Sequence, residues 1–167
     1  MGSFSKNVAL LAIGFWLGCT ILFAAVVAPT LFNKDVTLGM SVSMQGAIIG
    51  AILRRIYFLS YICIGVASSF LLVSSLREGK GASGPRRAFI LCVFVLGLNA
   101  ANDLWVLDRI NKVKVQMANG GDQAHLHQEF ENWHKASTAI YGCAVLFGSV
   151  AAALLLPSVS GRSRKSK

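Results

Sequence analysis

The sequence predicts an all-α polytopic membrane protein, a bundle of four transmembrane helices. Hydrophobic residues make up 54% of its 167 residues, and charged residues only 14%. A soluble globular domain carries more charge than this. Four nearly uncharged segments of about 20 residues each match the length that crosses the roughly 30 Å hydrocarbon core of a bilayer. We expect spans at 8–28, 56–76, 88–107 and 136–156, in a single integral membrane domain covering 1–167 with a basic tail at 157–167.

The first span is expected to stay in the mature protein. Its apolar run is longer than the h-region of a signal peptide, about 7–15 residues, and it is followed by Pro29. Gly14 and Gly18 form a GxxxG motif in this span. The motif is expected to serve helix packing within the chain, and contact with a second copy or another membrane protein is also possible.

The segment 36–53 between the first two spans predicts a further helix that does not cross the membrane. Its larger apolar residues recur every four positions, and Arg54 and Arg55 follow at once, where long basic side chains reach lipid phosphates. Two placements remain open. The helix lies at the interface, or it is partly inserted and packs through Gly46 and Gly50.

The third and fourth helices are predicted to continue beyond the membrane as two antiparallel extensions. Apolar residues recur at helical spacing on both sides of the turn at 118–121, and Asp122 is a suitable N-cap for the fourth helix. The two seams are Val106, Ile110, Val113, Met117 and Leu126, Phe130, Trp133, Ser137.

Basic residues outnumber acidic residues by 16 to 7, and their distribution predicts that both termini are cytoplasmic. The end of the bundle with both termini holds Lys6, Arg77, Lys80, Arg86, Arg87, Arg162, Arg164, Lys165 and Lys167 against Glu78. The other end has seven basic and six acidic residues. The expected partners are therefore the lipid bilayer and anionic lipids on the cytoplasmic side, and no nucleic acid is expected.

Polar residues inside the apolar runs mark the candidate functional site. Asn99, Asn102 and Asp103 share one face of the third helix, and a carboxylate at this depth must be paired or hydrated. Candidate partners of Asp103 are Arg54, Arg55, His134 and Lys135. With Ser137, which lies one turn beyond His134, these residues predict a polar cluster at the outer end of the bundle, either a clamp between helices or a site that opens outward.

A metal site is the alternative. At 100° per residue, His127, Glu131 and His134 share one stripe of the fourth helix, whereas His125 points almost the opposite way. Glu131 and His134 form an E-x-x-H pair, the spacing by which helix bundles present a carboxylate and an imidazole to one ion. This alternative implies a transition metal ion. The leading interpretation predicts no cofactor and assigns no catalytic residue.

Four short motifs resemble a known family. They are GFWLG at 14–18, APTLF at 28–32, RRIYF at 54–58 after a Gly-rich stretch, and FENWHKAS at 130–137. Together they resemble the small membrane proteins of domain of unknown function 4149, related to transmembrane protein 205. The chain departs from that pattern at Trp133, where the family more often has Leu, and in the Asn/Asp cluster of the third helix. The resemblance implies a four-helix integral membrane protein and supplies no catalysis.

The sequence therefore favours a non-enzymatic scaffold or a permeation-related module with an outer polar cluster. The alternative is a metal-binding or redox membrane protein that uses His127, Glu131 and His134.

Overall fold

Four long helices form the protein, as the sequence predicts. The computed structural model describes residues 2–33, 35–36, 39–78, 83–120 and 122–156, and the basic tail at 157–167 lies outside this part. Within the described residues there is no strand, and four helices are long and apolar enough to cross a membrane. The predicted fold class is thus confirmed, and the protein is an integral multi-pass membrane protein.

Helix α1 is interrupted by one wide turn near its end. It is α-helical over Gly2–Leu22, π-helical over Phe23–Val27 and α-helical again over Ala28–Phe32. Within the wide turn the amide of Ala28 donates to the carbonyl of Phe23, five residues back. The next residue, Pro29, has no amide to donate, and its ring would clash with the carbonyl four residues earlier in a regular α-helix. The π-helical turn accommodates both effects.

Helix α2 differs from the sequence prediction. It is a single helix over Val42–Glu78, so residues 42–53 form its first turns and not a separate interfacial helix between the first two spans. This segment contains no proline, and its glycines weaken a helix without ending it. Arg54 and Arg55 are both exposed on the continuous helix, where their charge costs little. At about 1.5 Å per residue, α2 is about 55 Å long and extends well beyond a bilayer core.

Helix α3 also contains a π-helical turn. It is α-helical over Ser83–Ala101, π-helical over Asn102–Val106 and α-helical over Leu107–Ala118. The amide of Leu107 donates to the carbonyl of Asn102 across the wide turn. Single π-helical turns frequently lie at functional sites, and this one begins at a residue of the predicted polar cluster.

Helix α4 covers Gln123–Leu155 without a break. The predicted N-cap is confirmed, because the carboxylate of Asp122 accepts hydrogen bonds from the amides of Ala124 and His125 at 3.2 and 3.4 Å. The preceding turn contains Gly120 in the left-handed region at φ +81°, which residues with a side chain rarely adopt.

Neighbouring helices are antiparallel. Phe4 of α1 packs edge-on against Phe70 of α2, and Gly84 at the start of α3 lies against the backbone of Leu154 at the end of α4. At the opposite end of the bundle, Lys114 of α3 lies beside Gly46 of α2. The topology is therefore up-down-up-down, with the starts of α1 and α3 at one end and those of α2 and α4 at the other.

The interior changes along the bundle axis. The half near the start of α1 is mostly apolar, with Ile13, Trp16, Ile64, Leu71 and Val95 fully enclosed, although Ser68 and Ser74 are also buried there. The far end contains the predicted seam, where Ile110, Val113 and Leu126 are buried between α3 and α4. A layer of buried polar residues separates these two regions.

Candidate functional site

The polar layer is built from two matching triads on α2 and α3. Each triad has polar side chains at positions i, i+3 and i+4, which lie on one face of a helix. The triads are Tyr57, Ser60, Tyr61 on α2 and Asn99, Asn102, Asp103 on α3. The two helices are antiparallel, so Asn99 meets Ser60 and the later Asn102 meets the earlier Tyr57, whereas Asp103 bonds to Tyr61.

Asn102 is the centre of the layer. Its side chain is 1% exposed, and its Nδ2 donates to the hydroxyl of Tyr57 at 2.7 Å and to the backbone carbonyl of Ser137 at 3.2 Å. One amide group therefore joins α2, α3 and α4. A turn earlier on α3, the Nδ2 of Asn99 donates to the hydroxyl of Ser60 at 2.6 Å.

Asp103 lies at the edge of the layer and is only partly buried. The hydroxyl of Tyr61 donates to its carboxylate at 3.1 Å. Tyr61 is thus the partner of Asp103. The sequence had suggested Arg54, Arg55, His134 or Lys135 for this role. Within the part of the chain that the structure describes, none of those four is paired with Asp103.

Helices α1 and α4 complete the layer. The rings of Tyr57 and Tyr141 meet edge-on, with centroids 6.4 Å apart. The hydroxyl of Thr20 on α1 lies beside that of Tyr141. Thr20 Oγ1, Tyr141 Oη and Asn102 Oδ1 are buried, and no described residue hydrogen-bonds to them with good geometry. The layer therefore retains unused hydrogen-bonding capacity at its centre.

The structure separates the predicted cluster into two parts. Asn99, Asn102, Asp103 and Ser137 belong to the polar layer, and the Ser137 hydroxyl lies beside that of Tyr57. His134 does not belong to it. Its side chain is exposed and stacks on Phe130, with ring centroids 5.9 Å apart and planes 6° from parallel.

The predicted metal stripe lies on the outer surface of α4. His127 Nε2 is 3.6 Å from Glu131 Oε1, and Lys135 Nζ is 3.3 Å from Glu131 Oε2. Glu131 is therefore held between two neighbours on its own helix. Among the described residues, no group of three His, Cys, Asp or Glu side chains is close enough to hold one metal ion.

Sequence reasoning missed the tyrosines, Ser60 and Thr20. Tyrosine and serine are ordinary residues of membrane helices, so singly they attract no attention. The available signal was the repeated spacing, since the triad on α2 has the same intervals as the triad on α3.

The chemistry of the layer is mostly uncharged. Hydroxyl and amide groups surround a single carboxylate, so the layer is suited to joining helices or to holding a small polar or cationic solute.

Comparison with known proteins identifies one family. The model of the family described as domain of unknown function (DUF4149) matches residues 11–119. The match includes both triads but ends before α4, so the motif FENWHKAS lies outside it. The match supports this family but does not confirm the predicted resemblance to transmembrane protein 205. No curated protein and no solved structure matches the chain.

Proposed function

We propose that this chain, which belongs to the family of domain of unknown function 4149 (DUF4149), is a non-enzymatic membrane scaffold. In this role the polar layer fixes the relative positions of the four helices, and the bundle ends are the surfaces that other membrane components contact.

The hydrogen bonds of Asn102 carry this proposal. Apolar side chains gain little from helix association in lipid, because the lipid tails are equally apolar, so close packing and bonds between helices must hold a bundle together. Asn102 is enclosed and donates to residues of two other helices. Asn99 and Ser60 are likewise enclosed and bonded to each other. These polar side chains are thus used in bonds between helices.

A permeation-related role is the second candidate. It is favoured by the buried polar atoms of the layer that no described residue hydrogen-bonds with good geometry, and by the partly exposed carboxylate of Asp103, which ends the layer on one side. In that role Asp103 and Tyr61 would receive a cation or a proton from the outer end of the bundle.

We expect the purified protein in liposomes to cause no leak of protons, Na⁺ or K⁺ above that of empty vesicles. The measurement is dye-reported flux in vesicles with wild type, Asp103→Asn or Asp108→Asn. Asp108 is the matched control, because it is on the same helix but exposed and paired with Lys112 at 2.7 Å. A leak that Asp103→Asn abolishes and Asp108→Asn leaves intact would replace the scaffold with the permeation role.

The scaffold also requires a partner. Cross-linking in native membranes should join the wild type to a defined membrane protein or to a second copy of the chain. Loosening the bundle with Asn102→Ala should lower the yield of that product, whereas Asn132→Ala at an exposed position should not. Equal yields of the cross-linked product for the wild type and both variants would show that the polar layer is not needed for the scaffold role.

Metal binding through His127, Glu131 and His134 remains the alternative function. The observation in its favour is the approach of His127 to Glu131 on one face of α4. Elemental analysis of protein purified without chelators tests it. The metal role would be favoured if the wild type contains stoichiometric Zn, Cu or Fe. The metal should be lost in His134→Ala and retained in His125→Ala, whose position is on the opposite face of the helix. A folded protein without metal would exclude it.

For the orientation, we propose that both termini are cytoplasmic and that the basic residues at this end contact anionic lipids. The excess of Lys and Arg near the end of α2, near the start of α3 and in the tail supports this. An epitope tag at either terminus should become accessible only when cells are permeabilised. A tag accessible on intact cells would reverse the orientation.

A further inference from the structure

A groove of about 630 Å³ runs between α2 and α3 at the end of the bundle opposite the termini. On α2 the groove is lined by small residues, including Gly46 and Gly50. On α3 it is lined by residues between Leu107 and Lys114. The groove is separate from the polar layer, so a ligand site in it is independent of the proposed scaffold function.

Three cationic side chains and no acidic one line the groove. They are Arg54, Arg55 and Lys114. Within the part of the chain that the structure describes, neither guanidinium is paired with a carboxylate. The Nζ of Lys114 lies 5.7 Å from the centroid of the Phe130 ring and next to Gly46. The groove therefore presents positive charge without an internal counterion.

The inner end of the groove is apolar, and its cationic side chains lie farther out, among the small residues of α2. Phe58, which is 67% exposed, and Leu107 lie on the side toward the middle of the bundle, within the predicted spans. Arg54 and Arg55 lie one turn of α2 farther out, where the predicted span ends, and Lys114 lies two turns beyond Leu107. An occupant that is apolar at its inner end and anionic farther out matches this lining.

We propose that this groove is a binding site for an anionic phospholipid, with an acyl chain against Phe58 and Leu107 and the phosphate between Arg54, Arg55 and Lys114. A membrane lipid has this polarity, and its phosphate lies at the depth where a span ends. Arginine suits the site because its planar donor fork matches the geometry of a phosphate. The small residues of α2 lie farther out than the arginines and leave space for the headgroup. This site is at the opposite end from the basic cytoplasmic surface.

Native mass spectrometry of the full chain in detergent tests the site. The protein is incubated with equal amounts of phosphatidylglycerol and phosphatidylcholine that carry identical acyl chains, so that only the headgroup differs. We expect wild type to retain phosphatidylglycerol preferentially. The double variant Arg54→Gln/Arg55→Gln should lose this preference, by roughly fivefold for each arginine removed.

Two matched controls accompany these variants. Lys112→Gln removes a cation that lies outside the groove and pairs with Asp108, and it should keep the preference. Gly50→Leu should narrow the groove and reduce binding of both lipids, since a Cβ at this position meets no atom within 4 Å. Gly14→Leu, at an equally open glycine of α1, should not reduce binding.

Three results would overturn the site. Equal retention of both lipids by wild type would remove the role of charge. Unchanged preference in the arginine variant would place the lipid elsewhere. Binding of inorganic phosphate that displaces the lipid and depends on the same arginines would show a site for a free anion and not for a lipid.

Discussion

Asn102→Ala is expected to lower the free energy of unfolding by about 2 kcal/mol, and the midpoint of thermal unfolding by roughly 4–8 °C. The substitution removes the bonds to Tyr57 and Ser137, leaves a buried hydroxyl and a buried carbonyl without that donor, and opens a small cavity. Each bond between membrane helices contributes only about 0.6 kcal/mol on average, so most of the effect comes from the unsatisfied partners. Thermal unfolding of the purified protein in detergent measures the shift.

Asn132→Ala serves as the control for this substitution. Asn132 is exposed on α4, and its loss should change the stability by less than about 0.5 kcal/mol. Equal midpoints for the two variants would mean that the layer contributes nothing to holding the bundle together.

Gly148→Ala is expected to destabilise the protein by a similar amount, about 1–3 kcal/mol, for a steric reason. A methyl group at this position would overlap the six-membered ring of Trp16, which is 1% exposed and enclosed by the apolar core. Because the ring is enclosed, either the ring or the backbone of α4 must shift to admit the methyl group. The contact between α1 and α4 must therefore open, which thermal unfolding in detergent would detect.

Two further variants isolate this contact. Gly142→Ala on the same helix meets no atom within 4 Å and should be neutral or stabilising by up to about 1 kcal/mol, because alanine favours a helix more than glycine does. Trp16→Phe replaces the indole by a smaller ring, so it should recover part of the loss when combined with Gly148→Ala. Additive losses in the double variant would contradict the proposed clash.

Much of the fold could be predicted because membrane helices follow length and hydropathy. The four helices, the outward extensions of α3 and α4, and the cap at Asp122 each had a local signal. The continuous α2 was not predicted, although only Arg54 and Arg55 separate 36–53 from the next apolar run. Arg54 and Arg55 mark the end of an apolar run in the sequence, but a helix that leaves the bilayer carries charge at its surface without ending.

Less of the site could be predicted. Asn99, Asn102 and Asp103 are conspicuous in an apolar run because their burial is costly, so their helix face was evident. The partners were not evident, because they depend on how α2 is rotated against α3. The exposure of His134 depends in the same way on the rotation of α4, and Phe130, one turn away, provides its contact.

A double-mutant cycle between Asn102→Ala and Tyr57→Phe tests the central claim most directly, namely that bonds in the polar layer hold the helices together. The cycle isolates the bond between Asn102 Nδ2 and the Tyr57 hydroxyl from the other effects of each substitution. We predict a coupling energy of about 1 kcal/mol, within the range of bonds between membrane helices. Fully additive effects of the two substitutions would contradict the claim.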